Sequence, residues 1–69
     1  MKSFWQHTNG KVYALRSDSF GNLTGAAGPF ELEDLKGLDD YHYGSAILDW
    51  VRQAVAEHKL HRINPTPVG

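Results

Sequence analysis

Cysteine is absent from this 69-residue chain. Its absence removes disulfide staples, thiolate zinc sites, cysteine-ligated iron–sulfur clusters and cysteine nucleophiles together. Long apolar runs are absent too, and none approaches the roughly 20 residues needed to span a bilayer. The opening Met1-Lys2-Ser3-Phe4-Trp5 turns polar at Gln6 and His7, where a secretory signal would continue into an apolar stretch of about 7–15 residues. The expectation is a cytoplasmic protein with no membrane insertion. A surplus of one charge is also missing. The formal net charge is -1, whereas dedicated nucleic-acid or anionic-membrane binders usually carry a basic excess. No phosphate-cradling glycine loop, serine elbow or HExxH pattern occurs.

The chain is also short, with room for one domain and little core. A chain of this size buries only roughly 60% of the surface its unfolded form exposes. With no covalent staple, a second copy or a partner protein is the remaining common source of burial.

Hydrophobic residues make up 41% of the chain and aromatic ones 12%, enough for a compact core if the pattern places them well. The charges come in blocks. Residues 1–28 carry Lys2, Lys11 and Arg16 against Asp18, and residues 29–40 carry Glu31, Glu33, Asp34, Asp39 and Asp40 against Lys36. Asp49 follows, and residues 50–69 return to basic with Arg52, Lys59 and Arg62 against Glu57. In so small a globule, the simplest reading is that basic and acidic blocks neutralise one another.

Asn9-Gly10 lies between two alternating segments. Both residues accept the positive φ that a tight two-residue hairpin demands. The pattern predicts strands at about 3–8 and 11–17, then a turn over Ser17–Asn22 in which Asp18 bonds its own backbone and Gly21 turns left-handed. This segment lacks the alternating acids and terminal glutamate of a calcium loop. A third strand is predicted from about Asn22 to Ala27, ended by Gly28-Pro29. Residues 29–37 read as a short helical turn, with proline at the start, acids in the first turn and glycine at the end. Ser45 is the predicted N-cap of a helix from Ala46 to about Lys59, whose stripe is Ile47, Trp50, Val51, Ala54 and Val55. Trp5 and Trp50 are expected to be core partners across the sheet–helix interface.

The predicted fold is α+β: a three-stranded antiparallel β-meander, a short helical turn, and one C-terminal amphipathic helix packed on one sheet face. Residues 1–63 form the single domain. Residues 64–69 read as a flexible proline-containing tail.

With a two-residue hairpin, Trp5 faces Ala14, and Trp5, His7, Val12, Ala14 and Arg16 share one face. The other face holds Phe4, Gln6, Lys11, Tyr13 and Leu15. The small residues at the centre of the first face suit a closely packed helix. The second face then stands open, and a contiguous apolar patch of that kind tends to mark an interface. Either a partner occupies it, or residues 30–38 or the tail fold back across it. The candidate binding residues are therefore Phe4, Gln6, Lys11, Tyr13 and Leu15, with a secondary basic end at His58, Lys59, His61 and Arg62.

Other chemistry is weaker. His58 and His61 share one side of a continuing helix, but a zinc site needs three or four ligands, and the spacing fits histidines set against a helix dipole. Asp39-Asp40-Tyr41-His42-Tyr43 could do acid–base work only in a cleft that turned these adjacent side chains together. The expectation is no catalysis, no metal and no cofactor. The expected function is that of a small non-catalytic binding or accessory protein, self-associating or docking on a larger protein through the open face. The alternative is a nucleic-acid-binding module using the sheet and the basic C-terminal end.

Overall fold

A computed structural model describes residues 1–65 of the chain. It is an α+β fold with an antiparallel sheet of four strands and one helix. The strands are β1 (Lys2–His7), β2 (Val12–Ser17), β3 (Leu23–Phe30) and β4 (Leu60–Ile63), in the order β3-β2-β1-β4. The single helix, α1, spans Leu48–Ala56, and two 3₁₀ turns span Leu32–Asp34 and Leu38–Asp40. The meander thus carries a fourth strand on its β1 edge. Of the proline-containing tail, Asn64 and Pro65 are described, and residues 66–69 lie outside the described residues.

The first hairpin departs from the two-residue prediction. His7 N–H donates to Lys11 C=O at 2.8 Å and Gly10 N–H to His7 C=O at 2.9 Å, with Gly10 at φ 91°. Thr8-Asn9-Gly10 is therefore a three-residue loop with its left-handed residue last. Asn9 Oδ1 accepts from Lys11 N–H at 2.8 Å, and His7 Nδ1 accepts from Asn9 N–H at 3.0 Å. The pairing becomes Phe4↔Ala14 and Trp5↔Tyr13. A one-residue slip moves every side chain of one strand to the other face, so the predicted face memberships mix two real ones.

On the first real face, Tyr13, Leu15, Ala26 and Leu60 are buried with Leu48, Val51 and Ala54 of α1, and Trp5 and Leu23 pack beside them. On the second, Phe4, Val12 and Ala14 are buried beneath Leu35, Leu38, Tyr41 and Tyr43, with Phe30 and Ile63 alongside. Leu15 and Val51 are the largest fully buried side chains of the helix side and Val12 of the other. Burying each such side chain stabilises by about 1.5–3 kcal/mol. The helix and the 3₁₀ segment therefore cover opposite faces of one sheet.

β3 runs on through Gly28-Pro29, beyond its predicted end. Val12 faces Phe30 while Ala14 faces Ala27, so β3 bulges there. Proline is tolerated because β3 is an edge strand and the missing N–H leaves no ladder bond unmade. Gly28, at φ 145°, lies under Tyr13, and a Cβ there would meet the Tyr13 ring at 2.6 Å.

The helix is shorter than the predicted 46–59. Gly44 is bonded to β3 by Ala26 N–H→Gly44 C=O at 2.8 Å and Gly44 N–H→Ala26 C=O at 3.0 Å. That contact holds the chain at the sheet edge, so Ile47 takes the cap position, without a side-chain cap bond, and Ser45 stands outside. At the other end His58 turns left-handed (φ 60°). Lys59 N–H then reaches Ala54 C=O at 2.8 Å and His58 N–H reaches Val55 C=O at 3.1 Å. These two bonds make a Schellman termination with histidine where glycine is usual. The reversal sends Leu60–Ile63 back along β1 as β4, pairing Phe4↔Ile63 and His7↔Leu60.

Candidate binding cleft

The structure covers the face expected to be open. Tyr13 is 6% exposed and Leu15 1%, both beneath α1, while Phe4 is 9% exposed and lies on the opposite face under the 3₁₀ segment. Gln6 also lies on that opposite face, where its amide donates to Gly10 C=O at 3.3 Å. Lys11 pairs with Glu31, and that carboxylate, by hydrogen bond and charge, holds the Lys11 ammonium above its ordinary pKa. The five residues do not form one surface, because the assumed hairpin was one residue too short. The face assigned to nucleic acid is covered with them.

The secondary basic end is not a helix end. His58 occupies the left-handed turn, Lys59 pairs with Glu57 at 3.1 Å, and His61 and Arg62 are exposed on β4. Successive strand residues point to opposite faces, so His61 and Arg62 diverge. Among the described residues, no group of three His, Cys, Asp or Glu side chains gathers.

The cluster at 39–43 builds the cover of the second face. Tyr41 Oη accepts from Lys36 N–H at 2.5 Å, and its ring lies edge-on to Phe4 and tilted on Phe30. Tyr43 Oη donates to Leu38 C=O at 2.5 Å, and burial pushes its phenol above the ordinary range. Asp39 accepts from Lys2 Nζ at 2.5 Å, and this ammonium holds its carboxyl below the usual range. The basic first block and the acidic second block thus meet in two ion pairs, Lys2–Asp39 and Lys11–Glu31.

Where the cover reaches the β1–β4 side of the sheet it leaves a cleft of about 510 Å³. Its floor is Phe4 and Ile63, paired across the two strands, with Leu35 and Leu38 from the cover. Lys2 and Lys36 stand around it, and Arg62, Asn64 and Pro65 continue the β4 wall, Arg62 being paired with Trp5 and so directed to the other face. Lys2 is engaged by Asp39, while neither Lys36 nor Arg62 has a carboxylate within ion-pair distance among the described residues. Prediction from the sequence missed Lys36, because it sits alone among acids, and Ile63, because β4 was not foreseen.

A second hollow lies on the helix side. Trp50, expected in the core, is 45% exposed and stacks on His7 at 5.2 Å, its ring also tilted against Tyr13. Leu48 takes the buried position instead, because the helical stripe is centred on Leu48, Val51 and Ala54. No helix among the described residues is long and apolar enough to cross a membrane. Comparison with protein-family models, curated proteins and solved structures finds no match for this chain.

Proposed function

We propose that this chain is a non-catalytic binding protein that docks an anionic, partly apolar segment of a partner protein in the cleft beside β4. The observation that carries this reading is an apolar floor (Phe4, Leu35, Leu38 and Ile63) with Lys36 at its rim and Arg62 on the other face of the adjoining strand, two cations that no carboxylate of the described residues engages. By contrast Lys2, also at the cleft, and Lys11 each hold an acid of the cover. A partner supplying both an apolar side chain and a carboxylate completes the cleft as the protein's own acids complete the other lysines.

Self-association through an open sheet face loses its basis, since both faces are covered. The test is fluorescence polarisation with a labelled, end-blocked peptide of alternating glutamate and valine. Lys36→Glu and Arg62→Glu should each weaken binding about fivefold or more, with a modest salt dependence, because few charges are neutralised. A single-stranded oligonucleotide that outcompetes the peptide, with a steep salt slope, would make the ligand a nucleic acid instead. Binding unaffected by either reversal would remove the cleft from consideration.

A further inference from the structure

We infer that the segment docking beside β4 is extended and adds to the β4 edge as a fifth strand. This inference rests on the cleft reading above and specifies how its ligand is held.

The register sets which backbone groups are free. Thr8 N–H donates to Lys59 C=O at 3.0 Å, so Thr8 and Lys59 form a bonded pair just beyond the β1–β4 ladder. Alternation along an antiparallel pair then turns the backbone of His61 and Ile63 toward β1. The N–H and C=O groups of Leu60 and Arg62 point away from the sheet. Counting on in the same alternation, Pro65 falls in the inward phase, so its missing N–H is on the β1 side and leaves the outer edge intact. The other edge is obstructed: Gly44 bonds Ala26 of β3 in both directions, and the bulge at Gly28-Pro29 breaks its register.

Charge selects the occupant. The exposed side chains of β4 are His61 and Arg62, and no acid lies on the strand. In an antiparallel pair of two copies only residues of the same phase can oppose, so Arg62 faces Leu60 with His61 facing His61, or Arg62 faces Arg62, and none of these offers a charge attraction. An acidic residue on an added strand opposes Arg62 favourably. The cleft is continuous with this edge, because Arg62, Ile63, Asn64 and Pro65 form its wall. Directly opposed residues share a face, so the ligand residue opposite Ile63 lies beside the apolar floor and the next one lies opposite Arg62. The chemistry read out is therefore an extended segment alternating apolar and acidic residues, held by main-chain bonds and sorted by the cleft.

The experiment uses the full isotope-labelled chain and the blocked glutamate–valine peptide, with two further peptides N-methylated on one or the other alternating set of amides. Addition of a strand should slow amide exchange at Leu60 and Arg62 by about tenfold or more at saturation. It should leave Ala26 unchanged and make one methylated set bind about tenfold more weakly than the other. If the peptide shifts only Phe4, Leu35, Leu38 and Ile63, and both methylated sets bind alike, strand addition is overturned while the cleft reading stands. If no peptide binds at millimolar concentration, both readings fall. Protection of Leu60 and Arg62 that rises with protein concentration alone would make the occupant a second copy and overturn the acidic strand.

Discussion

Replacing His58 by glycine should stabilise this protein, although the substitution removes a whole side chain. His58 is exposed, makes no side-chain hydrogen bond among the described residues, and sits at φ 60° in the helix termination. A residue with a Cβ costs about 1–2 kcal/mol in that conformation. Glycine removes this cost but loses about 0.5–1 kcal/mol more on folding, through its freer unfolded chain. The difference is a net gain of about 0.5–1 kcal/mol. For a domain of this size, about 4–8 °C accompanies each kcal/mol, so the midpoint should rise by about 2–8 °C. Thermal and urea unfolding followed by tryptophan fluorescence and circular dichroism would measure it. His58→Ala is the control, because alanine keeps the Cβ in the left-handed region and should stay within about 0.5 kcal/mol of the parent. If the glycine variant is no more stable than the alanine one, the Schellman assignment and the origin of β4 that depends on it are wrong.

Leu15→Ala, at the centre of the helix-side core, should cost about 2–5 kcal/mol. That is a large share of the roughly 3.5–10 kcal/mol available to a chain of this length at about 0.05–0.15 kcal/mol per residue, and a folded circular dichroism spectrum with little loss in urea midpoint would contradict it. Gly28→Ala should cost about 2 kcal/mol, since its methyl meets the Tyr13 ring at 2.6 Å; pairing it with Tyr13→Phe should leave the penalty in place, because the clash is with a ring carbon. The carboxyl of Asp18 is held below its ordinary range by the backbone N–H groups of Asn22 and Phe20. Its contribution is therefore complete above the usual aspartate range and is lost as pH falls through the lowered value. Asp18→Asn should flatten the acid side of the stability profile below about pH 4, and a profile parallel to the parent would refute the turn's role.

The strands of the meander and the existence of one amphipathic helix were legible from alternation, from Asn9-Gly10 and from the apolar spacing around Val51. Register was not, because Asn-Gly suits two hairpins equally: both central positions of a two-residue loop, or the last two of a three-residue one. Packing decides between them. The longer loop brings Trp5 beside Tyr13 and Leu15 under the helix and leaves Phe4 with Val12 and Ala14. β4 was hidden because its start depends on a left-handed histidine, which carries none of the signal a glycine would give. The cover over Phe4 depends on tyrosine hydroxyls reaching main-chain groups at Lys36 and Leu38, tertiary contacts with no local periodicity. The candidate cleft inherits both gaps, since its walls come from β4 and from that cover.

The two edges of the sheet are unequal, and this limits what the molecule can build. A head-to-tail filament would require β4 of one copy to lie along β3 of the next. Such a heterologous contact repeats without closing. The β3 edge meets any such approach with Gly44 already bonded at Ala26 and with a bulge at Gly28-Pro29. Growth from the short β4 edge therefore meets an obstructed edge on the next copy. The molecule can accept a strand without becoming the template for a fibre.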